Sequence, residues 1–186
     1  MSKAVLISIR PKWCEKIVSG EKTIEVRKTR PKMETPFTGY IYCTKAEERL
    51  IGILKDGDEN YGEIYHGKPV FIKMDKYSVC DMWGKRQKVI GEFACDRIDT
   101  ILPASEPYGI YDIDDDYVFQ TCLEYGALWN YGNGQTLYGW HISNLKIYDE
   151  PKELGEFTGL RKTKFGMEPV AITRPFQSWG YVEELP

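Results

Sequence analysis

The sequence predicts a mixed α+β domain in which a β-barrel carries peripheral helices. Three observations support this fold class: strand-like segments recur along the chain, one short helical pattern comes early, and a second comes late. Many short strands with few helices are typical of a small mixed barrel. We expect a barrel domain over residues 1–150, with an insertion at 46–87, and a C-terminal extension over 151–186 packed on or beside it.

The first 30 residues predict a strand, a helix and a second strand. Residues 4–9 form an apolar run, and Pro11 suits the first position of the helix that follows. Apolar residues at helical spacing continue to Gly20, which is a natural helix end. Residues 22–28 then alternate between apolar and polar side chains, as a half-buried strand does.

The rest of the chain predicts further strands and a second helix. The strands are expected at 39–45, 69–77, 88–101 and 137–148. Gly91 is a possible bulge within the third of them. Acidic residues ahead of Tyr117 predict the start of a helix there, and Gly126 is its expected end. After Pro151 we expect a short helical or irregular segment.

Composition limits the class of protein. The 186 residues are 42% hydrophobic and 13% aromatic, which indicates a folded chain, and the net charge of −3 argues against bulk electrostatic binding of duplex nucleic acid. It leaves room for a local basic groove. No apolar run approaches the roughly 20 residues that span a bilayer, and no signal-peptide pattern is present. The five scattered cysteines are typical of thiols in a reducing compartment, so we expect a cytoplasmic protein without membrane contact.

The second predicted strand carries charges where a core strand would not. Glu25 and Arg27 stand side by side on one face, and Lys22 lies at the strand start. Arginine can grip a phosphate or base edge, a carboxylate can accept from a base amino group, and lysine can act as base or nucleophile. The pattern therefore fits a site for a nucleotide-like ligand, although spacing alone favours a solvated face with an ordinary ion pair.

The stretch GEKTIEVR at residues 20–27 resembles the G-x-K-x-x-E-x-R motif of ASCH domains of the phage or bacterial type. These are small β-barrels related to the PUA RNA-binding fold. Looser similarities to strands of the same family occur at 6–11, 40–44, 89–93 and 138–142. The resemblance implies an α+β, PUA-like mixed β-barrel with peripheral helices that binds RNA or a modified nucleoside.

The resemblance also implies an enzymatic alternative, a cofactor-free hydrolase. Lys22 matches the proposed catalytic lysine of bacterial amidohydrolases that deacetylate N4-acetylcytidine, whereas Glu25 stands where those enzymes have threonine. Another member of the family is described as a ribonuclease. Lys22 and Glu25 are accordingly the candidate catalytic residues, acting on an N-acylated cytidine or on RNA without a metal.

Further ligand-binding candidates surround the motif. Arg10 would hold phosphate together with Arg27, and Thr44 and Lys45 lie at the end of the next predicted strand. Lys12, Arg30 and Lys32 would complete a positive rim, or simply provide solubilising charge. Trp140 and His141 lie in a late strand and point to opposite faces, so that either could meet a base or belong to the core.

Other site classes find little support. The acids at 112 and 114–116 lack the spacing of a calcium loop, and no phosphate-binding or dinucleotide motif is present, so we expect neither a metal nor a cofactor. A third alternative is a protein-interaction module, because Phe176, Trp179 and Tyr181 in the C-terminal extension could form an exposed apolar patch.

Overall fold

The structure is a computed structural model, and it describes residues 2–45, 87–106 and 109–186. These residues form ten strands and three α-helices, a mixed α+β fold as the sequence predicts. The strands are β1 (Lys3–Ile9), β2 (Ile24–Arg27), β3 (Phe37–Cys43), β4 (Lys88–Cys95), β5 (Ile98–Ile101), β6 (Leu137–His141), β7 (Ser143–Glu153), β8 (Thr158–Thr163), β9 (Gly166–Ala171) and β10 (Trp179–Glu183). The helices are α1 (Pro11–Val18), α2 (Asp115–Thr121) and α3 (Tyr125–Gly132). The predicted strand at 69–77 lies outside the described residues.

The described strands form two sheets. The larger has the order β7-β4-β3-β1-β10-β8-β9, and the smaller has the order β2-β6-β5. In the larger sheet β1 runs parallel to β3 and antiparallel to β10, so a strand from the last residues of the chain lies beside the first strand. This pairing brings the segment that precedes β10 next to the end of β1.

One hydrophobic cluster joins the two sheets and α1. It includes Ile7 from β1, Cys14 from α1 and Trp140 from β6, all of them buried. The Trp140 ring packs edge-on against Phe37, with ring centroids 5.9 Å apart, and lies 5.7 Å from the ring of Trp179. Aromatic pairs of this kind contribute beyond the area they bury. The cluster therefore holds the small sheet, which carries the charged motif, against the large one.

Two predicted strands are each divided between the two sheets. Residues 88–101 form β4 in the large sheet and β5 in the small one, and residues 137–148 form β6 in the small sheet and the first part of β7 in the large one. The prediction of single strands was wrong because neither crossing carries the glycine or proline that usually marks the end of a strand. The register with both β3 and β7 shifts between Val89 and Gly91, so the irregularity lies at Ile90, directly beside the expected position. A side chain at Gly91 would collide with the Lys146 carbonyl.

The second helix is also divided. Its expected start is confirmed, because Asp114 caps α2 by accepting a 2.7 Å hydrogen bond from the Tyr117 amide. The expected end at Gly126 was wrong. Cys122 takes a left-handed conformation with φ of 54°, which ends α2 after Thr121, and α3 then begins at Tyr125. No helix among the described residues is long and apolar enough to cross a membrane.

Candidate functional site

The charged motif lies on β2, which pairs with β6 in the small sheet. Glu25 and Arg27 are alternate residues of β2 and therefore point to the same face. Lys22 precedes the strand, and the tight connection from α1 through Gly20, whose φ is +79°, delivers it there. The exposed fractions of Lys22, Glu25 and Arg27 are only 2%, 7% and 8%. Three charged side chains are thus largely removed from solvent at one place.

Lys22 makes three polar contacts in this buried position. Its Nζ donates to the carbonyl oxygens of Thr121 at 2.6 Å and Ile24 at 2.9 Å, and lies 3.2 Å from Glu25 Oε2. An ammonium group has three N–H donors, so all of them are engaged. Thr121 is the last residue of α2, where a carbonyl lacks a partner within the helix and a cation is favoured. Lys22 therefore links the end of α2 to the start of β2.

Arg27 extends the network to the large sheet. One terminal nitrogen, Nη2, lies 2.9 Å from Glu25 Oε1 and donates to the Ser8 carbonyl at 2.8 Å, while Nη1 donates to Ser178 Oγ at 3.3 Å. Both Glu25 oxygens are consequently held, one by each cation. The Arg27 Nε is buried and has no hydrogen-bond partner among the described residues. A buried donor without an acceptor is costly, and a bound acceptor or water would relieve that cost.

A cleft of about 300 Å³ opens beside this network, and we call it the motif cleft. Its lining residues are Ser8, Ile9, Arg10, Trp13, Lys22, Glu25, Val26, Arg27, Thr44, Leu123, Tyr131 and Gln177. The Lys22 ammonium lies 5.3 Å from the centre of the Trp13 ring, within range of a cation–π interaction. Burial raises the pKa of the Tyr131 phenol, although the residue remains partly exposed, so this wall of the cleft is uncharged at neutral pH. The motif cleft thus combines aromatic walls with buried charge.

The structure brings some of the predicted site residues together in the motif cleft and places others elsewhere. Arg10 and Thr44 line the motif cleft together with the charged motif, whereas Lys45 is exposed and is not among the lining residues. Trp140 is fully buried in the core, and its indole N–H has no hydrogen-bond partner among the described residues. His141 pairs in register with Ile24, so it lies on the opposite face of β2–β6 from Glu25 and Arg27.

A protein-family comparison identifies the motif-bearing segment. The model described as "ASCH domain" matches residues 7–93, which include the charged motif, Arg10 and Thr44. Residues 7–93 of this chain are thus similar to ASCH domains. Three of the twelve lining residues lie beyond the matched segment: Leu123 and Tyr131 come from the α2–α3 region and Gln177 from the segment before β10.

One solved structure of an ASCH protein shares this fold. ASCH from Zymomonas mobilis is 16% identical with a TM-score of 0.50, and the match covers 97% of this chain and 88% of that one. A tyrosine-to-phenylalanine variant of the Zymomonas mobilis protein is 15% identical with a TM-score of 0.48, covering 98% and 92%. A serine-to-alanine variant is 15% identical with a TM-score of 0.46, covering 97% and 89%. No curated protein sequence matches the chain.

His141 belongs to a separate polar cluster outside the motif cleft. Its Nε2 lies 2.6 Å from Asp99 Oδ2 and 3.0 Å from an Arg97 terminal nitrogen, and the Tyr117 ring packs edge-on at 6.2 Å. Burial, with the nearby Asp99 carboxylate, raises the pKa of the Tyr117 phenol and keeps it neutral. Through these contacts β5, β6 and α2 are held together. They give His141 a structural place on the side of the small sheet away from the motif cleft.

Sequence reasoning missed several parts of the site. Tyr131 and Gln177 lie more than 100 residues from the motif, and no local pattern marks them as neighbours of Glu25. The Thr121 carbonyl that accepts from Lys22 is a main-chain group, which residue types cannot reveal. The C-terminal aromatics contribute to the core instead of standing free: Trp179 and Tyr181 pack against the cluster around Trp140.

Proposed function

We propose that the motif cleft binds RNA or a modified nucleoside, within the PUA-like barrel that the family resemblance implies. One observation carries the proposal. The cleft lining holds three cationic side chains, on Arg10, Lys22 and Arg27, beside a single described carboxylate, on Glu25, in a chain whose total charge is negative. This local positive charge favours an anionic ligand, such as a nucleotide phosphate.

The aromatic walls support a nucleobase as the second half of the ligand. Trp13 and Tyr131 both line the cleft, and stacking on aromatic rings is the usual means of holding an unpaired base. A volume of about 300 Å³ is at the lower end for small-molecule sites. It therefore suits one nucleoside unit better than several.

The contacts within the motif favour recognition over chemistry. Lys22 already uses its three donors inside the protein, and Glu25 already accepts from both cations, so each would have to give up a bond to reach a substrate. We assign Lys22 and Glu25 the task of holding Arg27 in position. Arg27 and Arg10 would then contact the phosphate. Arg10 is exposed and its guanidinium can bind phosphate through two parallel bonds, whereas Arg27 would use the donors that Glu25, Ser8 and Ser178 leave free.

A cofactor-free hydrolase is the second candidate, because a lysine and a carboxylate lie 3.2 Å apart in the wall of the cleft. Such a pair could move a proton if substrate binding displaced one of the carbonyl contacts. Incubation with N4-acetylcytidine and with short RNA, followed by mass spectrometry, distinguishes the candidates. Binding without product supports a reader of RNA, and product that is lost in Lys22→Arg supports the enzyme.

Replacing Arg10 with alanine should weaken binding of single-stranded RNA about tenfold, because one charge-assisted contact to phosphate is lost. Arg10 is exposed at the mouth of the cleft, and only its main chain supports α1, so the fold should be unaffected. Fluorescence anisotropy with a labelled octanucleotide measures the affinity. Arg161→Ala, an exposed arginine on β8, is the matched control and should bind as the unaltered protein does. Equal affinities for the two variants would contradict the proposal.

A further inference from the structure

A second concave surface adjoins the motif cleft. It is a groove of about 790 Å³ formed largely by the segment between β2 and β3, and we call it the basic groove. Its lining includes Lys28, Thr29, Arg30, Lys32, Glu34 and Tyr138. Lys28, Arg30 and Lys32 are all exposed, and Glu34 is the one acid among these lining residues. The groove is therefore positive in a chain whose net charge is −3.

The basic groove and the motif cleft are neighbours on the same strands. Arg27, in the cleft, is followed directly by Lys28, in the groove, and Arg27 pairs in register with Tyr138 across β2–β6. Side chains that oppose each other in this way lie on one face with Cβ atoms about 5 Å apart. The Lys28 ammonium also lies 5.1 Å from the ring of Tyr131, which lines the cleft. One continuous surface thus runs from the cleft into the groove.

The groove is held in place by the C-terminal strand. The Trp179 indole N–H donates to Thr29 Oγ1 at 3.0 Å, and the Lys32 amide donates to the Tyr181 hydroxyl at 2.7 Å. Pro31 is buried between these two anchors, and Met33 packs against the core. A segment anchored in this way has already lost much of the freedom that a ligand would otherwise have to restrict. Its three cations are therefore presented on a fixed backbone.

We propose that the basic groove binds the strand of an RNA beyond the nucleotide in the motif cleft, so that the natural ligand is a single-stranded oligonucleotide and not a free nucleoside. This inference rests on the proposed function of the cleft. Cations that alternate with aromatic rings are how proteins follow an unpaired strand, with phosphates meeting Lys or Arg and bases stacking. Arg30 lies 5.6 Å from the Tyr138 ring and can extend that stacking surface.

The test measures how affinity depends on the length of the ligand and on the charge of the basic groove. Competition binding experiments measure the affinity of the protein for each of four ligands: cytidine monophosphate and single-stranded RNAs of two, four and eight nucleotides. The groove variant is Lys28→Ala/Arg30→Ala/Lys32→Ala, and the matched control is Arg161→Ala/Lys162→Ala/Lys164→Ala, which removes three cations on and just beyond β8. Circular dichroism and a thermal melt verify that both variants are folded.

Affinity should rise at least tenfold from the mononucleotide to the octanucleotide, and the groove variant should lose that gain while binding the mononucleotide normally. The slope of log affinity against log salt for the octanucleotide should fall by about 2, because each phosphate contact of a single strand contributes about 0.7. Equal affinity at every length, or an equal loss in the control variant, would contradict the proposal for the basic groove but not the proposed function of the motif cleft. Absence of any binding would overturn both.

Two further experiments identify the kind of polymer that the basic groove binds. Poly-glutamate competing as well as RNA would overturn the inference, because the groove would then be a general site for acidic polymers. Single-stranded DNA of the same length tests whether the 2′-hydroxyl matters. Weaker binding of DNA in both the unaltered protein and the groove variant would place that discrimination in the cleft. A DNA affinity equal to that of RNA would overturn the choice of RNA.

Discussion

Replacing Lys22 with methionine is expected to lower the free energy of unfolding by about 3 kcal/mol. The change removes the donor shared by the Thr121 and Ile24 carbonyls and leaves Glu25, buried, with Arg27 as its cation. Breaking a buried ion pair from one side is costly, since the remaining charge stays away from water. Methionine has a similar length and no branch, so packing against Trp13 changes little. The loss therefore measures the polar network.

Urea unfolding followed by tryptophan fluorescence measures this difference, provided that the slope with denaturant is unchanged. Lys16→Met is the matched control, because Lys16 also pairs with a glutamate, Glu21, but does so at the surface. Its midpoint should hardly move, as surface pairs contribute little. A midpoint for Lys22→Met as high as that of the control would contradict the structural part we assign to Lys22.

Replacing Arg27 with lysine should weaken binding of single-stranded RNA by roughly 50-fold, the larger of the two expected binding losses at the cleft. Lysine keeps the positive charge beside Glu25 but offers a compact ammonium in place of the planar fork. It cannot reach the Ser8 carbonyl, Glu25 and a phosphate at once, as a guanidinium can. A loss despite an unchanged charge would show that binding depends on geometry at this position.

Calorimetric titration with an octanucleotide at two salt concentrations gives the affinity and its electrostatic part. Arg161→Lys, on the exposed surface of β8, is the control and should bind normally. Thermal melts verify that Arg27→Lys is folded. Normal affinity in this variant would mean that Arg27 serves only to join the two sheets through Ser8 and Ser178.

Local patterns predict the part of the fold that depends on near neighbours in sequence. The helix that begins at Pro11 and the alternation in β2 follow from spacing alone, so the shared face of Glu25 and Arg27 could be predicted. The α2 start at Asp114 is equally local, since a cap involves residues three apart. These features depend on covalent geometry and on the periods of helix and strand.

The remaining features of the fold and of the cleft depend on which strands pair with each other, and local sequence patterns do not determine that pairing. The crossings between sheets near residues 96 and 142 carry no glycine or proline to mark them, and β10 lies near the centre of the large sheet although it comes from the last residues of the chain. Tyr131 and Gln177 enter the cleft only because of these long-range pairings. Trp140 illustrates the same limit, because register places it opposite Glu25 while the core takes its ring.

Photocrosslinking with a 4-thiouridine octanucleotide, mapped by mass spectrometry, tests the central claim that RNA lies in the motif cleft. Crosslinks are expected on Trp13 or Tyr131, with further ones on Tyr138 in the basic groove. Phe165 provides an alternative crosslinking site outside the cleft and the groove, because it is 84% exposed between β8 and β9 and lies beside Lys164. Crosslinks confined to Phe165 and its surroundings, with Trp13 and Tyr131 unmodified, would contradict the account.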